Sequence, residues 1–148
     1  MRNLFIFIFS QVSPASSDLQ NPPYPGDTFP LTVFSPVPTY NIFGSDSKER
    51  GVYKSSDGGK TWKHVLFSNQ RSGAVDISID KNNPRIMFAS TWNIRRTPYS
   101  LESGGEGSGL WKSTDGGETW NNISGNDGLP DGLWGISGVS ISPVNSKK

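Results

Sequence analysis

Gly51-Val-Tyr-Lys-Ser-Ser-Asp-Gly-Gly-Lys-Thr-Trp62 returns 58 residues later as Gly109-Leu-Trp-Lys-Ser-Thr-Asp-Gly-Gly-Glu-Thr-Trp120. Eight of the twelve positions are identical. A second pair of stretches supports the repeat: Val75-Asp-Ile-Ser-Ile-Asp80 and Gly138-Val-Ser-Ile-Ser142 both alternate apolar and polar residues. Repetition on this scale is the sequence signature of solenoids, propellers and arrays. The pattern Ser-x-Asp-x-Gly-x-Thr-Trp has its own physical logic. The Asp carboxylate accepts backbone N–H groups and pins a hairpin turn. The Gly takes a left-handed conformation. The Ser and Thr hydroxyls are expected to pair across the strands, and the Trp to bury a large surface against the neighbouring hairpin.

Working outward, the chain reads strand by strand. Val75, Ile77 and Ile79 alternate with Asp76, Ser78 and Asp80, the period of a half-buried strand. Lys81-Asn-Asn-Pro84 is a tight turn. Arg85 to Trp92 is a second strand, and 93–108 a long Gly/Ser-containing loop. Gly109 to Ser113 is a third strand, Asp115-Gly116-Gly117 a hairpin turn, and Thr119 to Ile123 a fourth strand. Four antiparallel strands without a helix match one propeller blade. The expected fold is therefore all-β, a propeller segment of about two blades over 41–148. It comprises a partial blade at 51–67, a full blade at 74–123 and the start of a third at 136–142.

Composition agrees with short strands joined by turns. Of 148 residues, 17 are Gly and 11 Pro, and aromatics reach 11% while hydrophobic residues are only 32%. With 14 Lys+Arg against 13 Asp+Glu, the net charge of +1 gives no whole-chain electrostatic case for nucleic acid. No Cys is present, which removes disulfides, cysteine metal sites and thiol catalysis. No apolar run approaches the ~18 residues of a membrane span.

Residues 1–40 read differently. Met1 to Phe9 carries a positive charge and a short apolar stretch, followed by small residues (Ser13, Ala15, Ser16, Ser17). That sketches a weak secretory signal, and with it a secreted or periplasmic destination. A buried or edge strand, or a displaced gene start, reads the same residues equally simply. Seven prolines between 14 and 38 argue for an extended linker, not a helix or a central strand.

The repeated motif resembles the Asp box, also called the BNR repeat. It occurs in sialidases, in sortilin/Vps10 receptor propellers, in xyloglucan-active hydrolases and in photosystem II assembly-factor propellers. Ser55, Asp57, Gly59, Thr61 and Trp62 match its positions, as do Ser113, Asp115, Gly117, Thr119 and Trp120. Further stretches resemble one branch, the sortilin-N-terminal-like and glycosyl-hydrolase-like bacterial propellers: Ile42-Phe-Gly44 before Arg50-Gly51, Ala89 to Arg96, Thr97-Pro98 and Ser103 to Gly109. The resemblance covers 41–148. It implies a propeller of many blades, of which this chain would be a fragment, and a structural role for Asp57 and Asp115.

Loop geometry separates the two ends of the sheets without help from the family. Turns alternate along an antiparallel meander, so 81–84 and both Asp-box turns share one end. The loops at 67–73, 93–108 and 124–135 share the other. Function concentrates on long loops held by a rigid scaffold, which makes the second end the candidate binding face. There Arg95 and Arg96 can clamp a carboxylate or phosphate, Trp92 and Tyr99 offer platforms for a sugar or peptide, and Trp134 offers either a platform or loop packing. Glu102 and Glu106 offer either ligand contacts or partners that merely tether the arginines. The lone His64 cannot build a multi-histidine metal site, and Gly104 to Gly109 lacks the ending of a phosphate loop. Lys54 and Lys112 recur at matched positions, which suggests a structural role. No catalytic residue, metal or cofactor is assigned.

The expected function is a non-catalytic scaffold that binds protein or carbohydrate. The alternatives are part of a glycoside hydrolase whose catalytic carboxylates lie outside this chain, or a sortilin-like peptide receptor. Open sheet edges predict a marginal or oligomeric chain, completed by further blades or by self-association.

Overall fold

The computed structural model describes residues 7–8, 31–35, 46–57 and 59–142, the first two stretches through their backbone alone. The signal and linker readings of residues 1–40 therefore lie outside the described residues, apart from Phe7–Ile8 and Leu31–Ser35. The described chain is all-β. Its strands are β1 (Phe7–Ile8), β2 (Leu31–Ser35), β3 (Gly51–Ser55), β4 (Lys63–Leu66), β5 (Ser72–Ile79), β6 (Met87–Arg96), β7 (Leu101–Ser103), β8 (Gly109–Ser113) and β9 (Asn121–Asn122). They form two sheets, ordered β1-β2-β3-β4 and β5-β6-β8-β9, with β7 paired to β6. Every pairing is antiparallel except β1 with β2. Neither sheet closes on itself.

The two sheets share a three-strand unit in the same register. In the first, Leu31 pairs with Ser55 and Ser35 with Gly51. In the second, Met87 pairs with Ser113 and Thr91 with Gly109. The outer strands repeat too: Lys54 opposes Lys63 as Lys112 opposes Asn121, and Tyr53 opposes His64 as Trp111 opposes Asn122. Identical turns fix identical registers, because a one-residue slip would turn every side chain to the wrong face. β2 was not expected from sequence. Leu-Thr-Val-Phe-Ser is a proline-free window between Pro30 and Pro36, and its five donors suffice for a strand between β1 and β3.

Other differences have local causes. β5 carries a bulge between Ala74 and Asp76. An extra residue there exchanges the faces, so Ala74, not Val75, joins Ile77 in the core. The long loop expected at 93–108 begins as strand: β6 runs on to Arg96 and turns back into β7. The third-blade strand expected at 136–142 forms no ladder. It lies along β5 and bonds to side chains: the Val139 N–H donates to Asp76 Oδ2 (2.8 Å) and the Ile141 N–H to Ser78 Oγ (3.0 Å).

The core lies between the sheets. Val52 and Leu66 of the first meet Ala74, Ile77 and Ala89 of the second, with Val65, Trp111 and Trp120 packed around them. Arg50 is buried beside them, and its Nη1 donates to the Arg71 carbonyl (2.9 Å). That burial lowers the guanidinium's pKa, opposed by the charge of Asp46.

Candidate functional site

At the short-turn end, the motif is built from its own side chains. Ser55 is fully buried; its Oγ accepts the Gly59 N–H (2.8 Å) and donates to Asp57 Oδ1 (2.8 Å). Asp57 takes the Thr61 N–H (2.9 Å) and the Thr61 hydroxyl (2.6 Å). The second copy repeats each bond. Ser113 Oγ accepts from Gly117 and donates to Asp115, both at 2.8 Å, and Asp115 receives the N–H and hydroxyl of Thr119 at 3.0 and 2.5 Å. The hydroxyls thus converge on the carboxylate instead of pairing across the strands as expected. Gly117 sits at φ +84° with Trp120 over it, as Trp62 lies over Gly59.

These bonds decide the chemistry of the two aspartates. The Thr61 hydroxyl, then its N–H, lowers the Asp57 pKa to about 2. The Thr119 hydroxyl leads the same effect on Asp115, which stands well below the usual carboxylate range. A carboxylate already held by several donors is poorly suited to proton transfer near neutrality. A cross-sheet ion pair lies beside the turns: Glu118 meets Lys54 Nζ at 2.5 Å and Lys63 Nζ at 2.9 Å. Its pKa is lowered, first by Lys54 and then by Lys63.

The Gly116 N–H donates to the Arg85 carbonyl (2.9 Å), which places the 81–86 turn beside the second motif turn. The long loops gather at the other end. Glu106 and Gly107 bring their carbonyls to a ring of side-chain donors: Asn69 Nδ2 at 2.6 Å and Asn93 Nδ2 at 2.8 Å to Glu106, Ser68 Oγ at 2.8 Å and Thr91 Oγ1 at 2.7 Å to Gly107. The Gly105 N–H donates to the Trp134 carbonyl (3.1 Å), tying the third loop to the second. The loop is fastened through its backbone carbonyls.

From this base the β6–β7 hairpin projects. Arg95 stands opposite Glu102 in its register, and Arg96 opposite Leu101. Arg95, Arg96 and Glu102 are exposed, and Tyr99 at the tip is 98% exposed. A short turn holds that tip, with the Thr97 N–H on the Ser100 carbonyl (2.8 Å). Trp92 is half-buried, and its indole N–H donates to Ser103 Oγ (3.1 Å), which fixes the ring at the hairpin base. Trp92, Arg95, Arg96, Tyr99 and Glu102 therefore share one hairpin, Trp134 adjoins it through Gly105, and Glu106 lies in the loop that follows. Leu101, 61% exposed, belongs to the same surface and was not singled out in the sequence. The signal was its position two residues from Tyr99, on a strand that the sequence reads as loop.

His64 is held between Tyr53 and the Arg50 backbone. It stacks on Tyr53 at 4.4 Å, and its Nε2 donates to the Arg50 carbonyl (2.9 Å). Among the described residues, no group of three His, Cys, Asp or Glu is placed to hold a metal ion, and no helix is long and apolar enough to cross a membrane. The chain matches no protein-family model, no curated protein and no solved structure.

Proposed function

We propose that this chain is a segment of an Asp-box β-propeller: a non-catalytic scaffold whose long-loop end binds protein or carbohydrate. One observation carries the reading. Two three-strand units share one register and one turn-bonding scheme, and their sheets pack face to face around a common core. Such units bury their faces by stacking on neighbours, so further repeats or other copies of the chain complete the assembly. The β6–β7 hairpin supplies the binding surface, with two guanidinium groups, an exposed phenol and an exposed leucine on a fastened base.

The test is to screen the full chain against glycan and peptide arrays, then repeat the hits with Arg95→Ala, Arg96→Ala and Tyr99→Ala. The reading expects at least one change to weaken binding about tenfold, or ~1.4 kcal/mol. Ligands indifferent to all three but sensitive to Lys81 or Arg85, at the opposite end, would contradict it.

A further inference from the structure

The ion pair between the sheets follows the repeat. Lys54 belongs to the first unit and Glu118 to the turn of the second. At 58 residues' offset, Lys54 corresponds to Lys112 and Glu118 to Lys60. Lys54 shares its strand face with Val52 of the inter-sheet core. Lys112 alternates with Trp111, which packs on that core, so Lys112 lies on the outer face of the second sheet. Its Nζ stands 5.3 Å from the centre of the half-buried Phe88 ring. Among the described residues no carboxylate pairs with it.

This outer face already carries one extended segment. Asp76 and Ser78 receive the Val139 and Ile141 N–H groups, and Ser90 Oγ donates to the Ser137 carbonyl (2.6 Å). The segment 137–142 thus lies on the second sheet beside β5 and β6, as β5 itself lies beside β2 and β3 of the first. Phe88, Leu110 and Lys112 lie on the same face and are half-buried.

We infer that the outer face of the second sheet docks a further repeat of this type, selected by a carboxylate at the Glu118 position of its turn. The inference rests on the propeller reading and adds a pairing rule to it. The residue before Thr-Trp in one unit is read by the Lys of the preceding unit. A second copy of this chain is a poor occupant, because head-to-tail stacking brings Lys60 against Lys112, a like-charge contact. The rule therefore favours a different repeat over self-association.

The test inserts residues 79–142 a second time after Ser142 in the full chain, so that 137–142 opens a third unit. Docking should raise the thermal midpoint by at least about 5 °C and protect the insert from protease. Glu118→Lys in the inserted copy should abolish most of that gain, and Lys112→Glu in the same protein should restore it. Lys112→Glu alone, beside an unchanged insert, should mimic the loss. An insert that docks but ignores both charge changes overturns the pairing rule and leaves the propeller reading standing. An insert that is digested as an unfolded tail overturns both. Concentration-dependent head-to-tail chains of the unmodified protein in sedimentation would also overturn the rule.

Discussion

Glu118 Oε1 lies 2.5 Å from Lys54 Nζ, although 64 residues of chain separate them. The contact joins the turn of one repeat to a strand of the other. Lys54 is largely covered, with 12% of its side chain exposed, while Glu118 is 46% exposed. Solvent screens such a pair, so each attraction is worth only about 0.5 kcal/mol. Glu118→Lys replaces two attractions with two repulsions and should lower the thermal midpoint by roughly 3–5 °C. Lys54→Glu in the same protein should recover part of that loss. Both effects should shrink in 1 M salt.

The turns also rest on two buried serines beside the half-buried aspartates. Ser113 Oγ is the acceptor of the buried Gly117 N–H. Ser113→Ala strands that donor and should cost about 1–3 kcal/mol in urea unfolding. Ser55→Ala should act in the same direction. If either proved neutral, the hydroxyl would not be what holds the turn.

Acid should weaken the fold through the same turns. An unfolded Asp titrates near ~4, whereas Asp57 is held at about 2 and Asp115 is also depressed. Between those values the folded chain binds fewer protons than the unfolded one. The stabilisation is complete above pH ~4 and is lost as pH falls through the folded values. Thermal midpoints measured from pH 5 to pH 2 should fall, and the slope should flatten in Asp57→Asn combined with Asp115→Asn.

Gly51 should tolerate no side chain. Its φ is +135°, and an added Cβ would overlap the Leu66 carbonyl oxygen, which is fixed in the β3–β4 ladder. Gly51→Ala should break that ladder and lose native amide dispersion in NMR spectra. Gly125→Ala meets nothing within 4 Å and should leave the spectrum intact.

How legible this was depended on range. The motif turns could be read because all their bonds fall within four residues, from Ser55 to Gly59 and from Asp57 to Thr61. The two-ended arrangement of loops followed from counting strands. β2 was hidden by its flanking prolines, and the β6 extension by Asn93, Arg95 and Arg96, which look like loop residues. The alternation at 138–142 was real, but its N–H groups meet Asp76 and Ser78 side chains instead of a neighbouring strand. The Glu118–Lys54 pair was invisible because nothing in either residue's local sequence names its partner. The candidate hairpin residues were found by type, yet their shared hairpin emerged only with the Arg95–Glu102 register.

Two repeats of one register stack on a shared core. Methyl-resolved nuclear Overhauser spectroscopy of the full chain tests it most directly. Cross-sheet contacts are expected from Val52 and Leu66 to Ala74 and Ile77, with backbone contacts between Val33 and Tyr53 matching those between Ala89 and Trp111. Strand contacts within 72–122 but none from Val52 or Leu66 to β5, and none between 31–35 and 51–55, would contradict it.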